Sequence, residues 1–469
     1  MIRKRSLRRG AMVAAVAVGL LVAACTSPAA TGTQNGKQVL TVAYSSEYVF
    51  LTPQLATQWW HAVGSEFEKK YPNVTVRYEP IPGGYNDFNS KLALLYRTSA
   101  TAPDVAELPS ALMGEWVSSG DLLALNKYVA TSSWWSNYPE SVKAETTING
   151  KVYAINHGEN TEALYYNVPM FKQAGIPVPW QPHNWQQIYA AAAKIHAALP
   201  NVTAFFAAGG TAPGVGAIQY NASGNMLQGS TNPTIYDQKT HKWVVDSSGI
   251  RETLGFYLKL AQNGWQNPTL TEALSPNVVA NAPGDLAKGN IAIAVGSNYY
   301  GTAWVKSVCG PCWSQGASTM AVAKIPTING QASPGNGSSY ASLLGCWDLA
   351  IGAATQHAQA AWNFINVAQE EGNMLSAAKG AGFVPPDDQY WSAPSYAGVA
   401  PPFTHFFATL LPYSRLAPEL SQYSVWGTGF EQATGAIMSN PNTTVQAAAT
   451  IMKNYITGQM GASQVESLP

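Results

Sequence analysis

The spacing of apolar positions changes period repeatedly along the first third of the chain, and each change marks an element. Residues 39–44 form a β-branched, apolar run of strand length. Thr52-Pro53 then supplies an N-cap and a first helical residue, and Leu55, Trp59, Val63 and Phe67 recur at helical spacing up to Tyr71. Residues 73–79 alternate as a strand, 86–99 return to helical spacing, and 104–108 make a third strand. The pattern predicts a βαβαβ unit. Such a unit builds a parallel sheet, whose ligands bind beyond the carboxyl ends of the strands, here near residues 45–48, 83–86 and 107–110. The alternation resumes with helices over 185–199, 251–262 and 355–371 and a strand at 291–295. Two α/β lobes are the expected architecture, each a mainly parallel sheet flanked by helices, since the length exceeds one ordinary domain.

Ahead of this body, Arg3, Lys4, Arg5, Arg8 and Arg9 precede an apolar run over 11–24 that ends Leu21-Val22-Ala23-Ala24 directly before Cys25. That run of about 14 residues is shorter than the ~20 a spanning helix needs. It reads as a signal peptide over 1–24 with a lipoprotein box, so that Cys25 carries the lipid and begins the mature chain. Residues 25–38 are rich in small polar residues and are expected to be a flexible tether. Outside the cytoplasm there is no pool of ATP or NAD, and no cofactor is expected.

Charge narrows the partners. The chain holds 26 basic and 26 acidic residues, and removing the five basic residues of the signal leaves 21 against 26, a net charge of −5. Without a basic cluster, nucleic acid is not an expected partner. Charged residues are only 11% of the chain while it carries 15 Trp and 23 Tyr, which shifts recognition toward stacking and neutral hydrogen bonds. An uncharged ligand is expected.

Several strings then become recognisable in order: Phe67-Glu68-Lys69-Lys70-Tyr71-Pro72-Asn73-Val74, Ala102-Pro103-Asp104-Val105, Gly150-Lys151-Val152-Tyr153-Ala154 with Asn160-Thr161-Glu162-Ala163-Leu164-Tyr165-Tyr166-Asn167, Leu286-Ala287-Lys288-Gly289-Asn290-Ile291, and Gly345-Cys346-Trp347-Asp348-Leu349. Together they resemble the extracellular solute-binding proteins of family 1, which serve ABC importers, largely for sugars. The resemblance implies a periplasmic-binding-protein fold of two lobes joined by hinge crossovers near 158–161 and 347–352. It places 39–158 plus 349–397 in an N-terminal lobe and 159–348 plus 398–469 in a C-terminal lobe. It also implies a monomer that hands its ligand to the permease subunits of the membrane.

A sugar ligand needs aromatic rings for its C–H faces and polar groups for its hydroxyls. The aromatic candidates are Tyr48, Tyr299, Tyr300, Trp347 and Trp426; Trp426 lies where maltodextrin-binding relatives stack a sugar. The polar candidates are Glu47, Asn86, Glu107, Asn160 and Glu162. Counting back from Asn167 aligns Asn160 with the family's crossover contact, whereas matching Glu-Ala-Leu aligns Glu162. Trp59, Trp185 and Trp362 read as core or cap residues.

Cys309-Gly310-Pro311-Cys312 matches the pair of thioredoxin-like oxidoreductases, but no periodic helix follows it. A Cys309–Cys312 disulfide stapling a loop is the expected reading, with Cys346 a free thiol. No metal-binding spacing or nucleophile elbow occurs, so no metal and no catalytic residue are expected. Three functions remain in view: an anchored sugar receptor, an exported glycoside hydrolase, and a binding protein for another small solute.

Overall fold

A computed structural model describes residues 33–34, 36–47, 49–50, 52–214, 218, 222–266, 274, 278–305, 313–397 and 402–469. The signal peptide, Cys25, most of the tether, Tyr48, Cys309 and Cys312 lie outside the described residues, as does the side chain of Cys346. Among the described residues, no helix is long and apolar enough to cross a membrane.

The opening unit forms where the periodicity places it. Strand β1 (Lys37–Ser45) pairs in parallel with β2 (Val74–Ile81) and with β3 (Val105–Pro109). The connecting helices are α1 (Pro53–Lys70) and α2 (Tyr85–Tyr96). Thr52 caps α1 by accepting the Leu55 N–H through its hydroxyl, with Pro53 as the first helical residue. Trp59, Trp60, Val63 and Phe67 fall on one face of α1 and are buried.

The centre of the molecule is β4 (Ala154–Asn167), 14 residues long and buried throughout. Its first half pairs with β7 (Leu344–Ile351), which also pairs with β3. Its second half pairs with β5 (Ile293–Ser297) and β6 (Met320–Ala323). One strand therefore serves two sheets. In the first lobe the expected parallel order holds for β1, β2 and β3. In the second lobe the ladders of β4 with β5 and β6 are antiparallel, and parallel pairing lies in the bridges Thr203↔Ile291, Phe206↔Ala294 and Leu343↔Arg415 and in the short ladder of 465–467 with 242–246. The reason is β4 itself: a strand that leaves one sheet and continues straight into the next meets its new neighbours without a helical crossover to turn the chain.

Two separate apolar clusters flank this strand. The first gathers β1, α1, β3, β7 and α5 (Ala358–Ala368), with Trp60, Phe67 and Phe364 among its largest members. The second gathers α3 (Trp185–Ala198), α4 (Ser248–Gln262), β5 and α7 (Tyr423–Ser439). Trp59, Trp185 and Trp362 are buried, at 3%, 1% and 3% exposure. The helix expected over 355–371 is two helices: α5 stops before Gln369, Glu370 is extended, and α6 (Glu371–Ala381) begins anew. A third segment joins the two cores at residues 382–384. Phe383 packs in the first cluster and Val384 in the second, earlier than the change of lobe expected at 397/398.

Candidate functional site

Three crossings meet in the waist of the molecule, and their polar side chains form a continuous network. β4 carries a bulge there, where the register with β7 shifts between Trp347 and Asp348 opposite Gly158 and Asn156. The extra residue, His157, is buried and turns its Nε2 toward Glu107 Oε1 at 3.1 Å. Gly158 lies so close to the Phe383 ring that a Cβ there would overlap it, so the first and third crossings touch through a position without a side chain. Val384 and Glu159 exchange backbone hydrogen bonds of 2.9 and 2.8 Å.

Asn298 ties these segments together. Its Nδ2 donates to Glu159 O at 3.1 Å, Asn160 Oδ1 at 3.1 Å and Gly382 O at 2.6 Å. Its Oδ1 accepts the Thr161 N–H at 2.9 Å and the Ser297 hydroxyl at 3.1 Å. One fully buried amide thus joins β4, the end of β5 and the 382–384 crossing. A position whose partners lie at 159–161 and 382 leaves no signal in any local window of the sequence.

The lobes are in contact on one side of the waist. Ala111 of the first lobe is a member of the second lobe's apolar cluster, and Glu115 Oε1 accepts the Ser424 N–H at 3.2 Å. Gly114 faces the Glu419–Leu420 backbone so closely that a Cβ would overlap it. The exposed Asn86 reaches Gly214 of the second lobe, whose Cβ, if present, would lie 2.8 Å from Asn86 Oδ1.

The expected ligand contacts divide into groups. Asn160 and Glu162 sit side by side in the waist, both buried, so the structure brings both alternatives to the same place. Burial holds the Glu162 carboxyl well above the usual range, with a Ser297 hydrogen bond opposing it. Tyr299 is half-buried and begins the turn after β5, with its ring 5.0 Å from Tyr300. Tyr300 is fully buried and stacks on Tyr165 at 5.4 Å. Glu47 is exposed at the end of β1 and its Oε2 accepts the Gly83 N–H at 3.0 Å.

Three candidates are occupied by protein. Glu107 is fully buried and spends one oxygen on the Ser45 N–H at 2.9 Å and the other on His157. Trp347 is 2% exposed and packs edge-on against Phe88 at 5.4 Å and Tyr85 at 6.4 Å, inside the first core. Trp426 is fully buried on α7, donates its indole N–H to Val244 O at 2.7 Å and packs on Phe430, away from the waist. Its place follows from the stripe Tyr423, Trp426, Phe430, Ala433 and Ile437, a helical core spacing.

Four carboxyl groups converge beside the crossings. Asn156 Nδ2 donates to Glu145 Oε2 and to Asp348 Oδ1, each at 3.1 Å. Burial pushes the Glu145 carboxyl up to about 7, while hydrogen bonds from Ser110 and Glu159 pull it back. Burial, followed by the charges of Glu145 and Asp348, holds Glu419 of the second lobe well above the usual range. Carboxyls raised in this way take up protons when the chain folds. For Glu145 the stabilising effect is complete below the unfolded value of 4.5 and is lost as pH rises through about 7, and Glu419 is shifted in the same direction. Melting temperature should therefore rise as pH falls from 8 toward 5.5. Glu419→Gln should flatten that profile, measured by thermal unfolding; an unchanged profile would show that Glu419 does not contribute to it. Among the described residues, no group of three or more His, Cys, Asp or Glu has the geometry to hold a metal ion.

Two cores on a shared central strand, with polar groups gathered at the crossings, define a two-lobed solute-binding fold. The chain belongs to the bacterial extracellular solute-binding protein family, whose profile matches residues 53–375. An arabinooligosaccharide-binding protein of Bacillus subtilis is 20% identical over 176 residues, 38% of this chain and 39% of that one. The matched segments span 32–39% of the length of the curated relatives. Among solved structures, the GacH receptor of Streptomyces glaucescens, determined unliganded and with acarbose, superposes with a TM-score of 0.71 at 19% identity, covering 91% of this chain and all of that one. The maltose-bound MalE3 of T. maritima gives 0.72 at 18% identity, covering 90% of this chain and all of that one.

Proposed function

We propose that the protein is the receptor of an ABC importer, capturing a neutral mono- or oligosaccharide between its lobes and passing it intact to the permease. The single observation that carries this reading is the waist, where three extended segments connect two independently packed cores. Short extended connectors allow rotation, and a ligand favours closure only through contacts it makes to both sides. The sugar class is supported by the arabinooligosaccharide-, acarbose- and maltose-binding relatives and by the aromatic-rich, charge-poor composition. The moving bodies are 39–158 with 347–383, and 159–346 with 384–469. The contacts are Tyr299 for a ring face and Glu47, Asn86, Asn160 and Glu162 for hydroxyls, joined by Tyr48. The chain is a monomer, held outside the cytoplasm by lipid on Cys25, and makes or breaks no bond in its ligand.

A thermal-shift screen over neutral sugars tests this, because a ligand bound only by the native state raises its melting temperature. Tyr299→Ala should remove most of the shift given by the best sugar, read against the melting temperature of the variant's own unliganded form, because its ring also packs on the second core. Trp347→Ala is the poorer probe: truncating a core tryptophan costs roughly 3–5 kcal/mol of stability by itself. Full affinity in Tyr299→Ala would remove that residue from the site. Sugar recovered in hydrolysed form would replace the receptor by an enzyme.

A further inference from the structure

A cavity of about 740 Å³ opens on the second lobe, shares no residue with the waist network, and is lined by Gln228, Thr231, Asn232, Thr234, Tyr236 and Arg415 among others. No carboxylate lines it. Arg415 has neither an ion pair nor a side-chain hydrogen bond among the described residues, whereas Arg251 of the same lobe pairs with Asp246 at 2.6 Å. The residue is fixed through its backbone: its N–H donates to Ser342 O at 2.9 Å and its carbonyl accepts the Leu344 N–H at 2.7 Å. Its guanidinium lies beside the backbone of Gly335, where a Cβ would sit 3.4 Å from Cζ. The carboxylate next to the cavity, Glu252, is engaged by the Thr231 N–H at 2.8 Å and hydroxyl at 2.7 Å. Asn232 accepts the Thr234 N–H through Oδ1 at 3.2 Å, which presents its Nδ2 as a donor.

We propose that this cavity binds a small oxyanion, a phosphate, sulfate or carboxylate group, on the Arg415 guanidinium. A planar guanidinium matches such oxygens two at a time, and it stays charged throughout the physiological range. Burial works against the charge of Arg415, and a bound anion would offset that opposition. The surrounding amides and hydroxyls add neutral donors without a competing negative charge.

Calorimetric titration of the whole protein with phosphate, sulfate and acetate, each at constant ionic strength against chloride, tests the site. At least one oxyanion should bind with a dissociation constant in the roughly millimolar range or tighter. Arg415→Gln should weaken that binding at least tenfold, and Arg415→Lys, which keeps the charge without the fork, should lie between. Oxyanions that bind no better than chloride, or an Arg415→Gln protein that binds them like the parent, would overturn the assignment. The sugar-induced thermal shift should be the same in Arg415→Gln and in the parent, so a failure here is separable from a failure of the sugar reading.

Discussion

Replacing Gly114 with Phe should reduce sugar affinity by 100-fold or more while leaving the melting temperature of the unliganded protein nearly unchanged. Gly114 lies in the first lobe against the Glu419–Leu420 backbone of the second, and even one carbon there would overlap main-chain atoms. Backbone cannot swing aside as a long side chain can, so the lobes must separate. Separation breaks the Glu115–Ser424 hydrogen bond and withdraws Ala111 from the second lobe's cluster, but it leaves both cores intact. A wedge of this kind holds the hinge open, and a ligand that needs both lobes loses half its contacts. A 100-fold loss corresponds to about 2.7 kcal/mol, well within what one excluded conformation can impose. Unchanged affinity in Gly114→Phe would mean that this contact is not part of the ligand-bound state.

The second large effect is expected at Asn298. Asn298→Ala strands the Thr161 N–H and the acceptors at Asn160 and Gly382 in a dry interior, while Glu159 O keeps the Val384 N–H. Each buried group left unpaired costs about 1–3 kcal/mol, so the whole change should lower stability by at least about 3 kcal/mol. Asn298→Asp should be worse although it is nearly isosteric. The Nδ2 donor would become an oxygen facing three other oxygens, and a carboxylate would be buried in place of a neutral amide. Denaturant unfolding orders the parent and the two variants; greater stability in Asn298→Asp than in Asn298→Ala would show that the amide's donor role is not what holds the crossings.

Much of the first lobe was legible because its information is local. The cap at Thr52, the apolar stripe of α1 and the run of β1 each lie within one window, and each element formed within a few residues of its expected bounds. The break between α5 and α6 was not legible, since Gln369-Glu370 carries no proline or glycine and only the extended Glu370 backbone ends the helix. The waist was legible as a place but not as a network. Asn160 and Glu162 were reached by motif, yet Glu107 was expected to face a ligand and instead serves Ser45 and His157, partners 62 and 50 residues away. His157, Asn298 and the carboxyls of Glu145 and Glu419 gave no local sign, because their chemistry arises only when distant segments meet. Trp426 was assigned by position in relatives, although the stripe on its own helix already pointed inward.

The central claim, that two lobes hinge closed on a sugar, is tested most directly by small-angle X-ray scattering of the protein with and without the best ligand of the thermal-shift screen. The radius of gyration should fall on adding the sugar to the parent and stay unchanged in Gly114→Phe at the same concentration. A radius of gyration that stays constant in the parent protein while the sugar is demonstrably bound would contradict the claim.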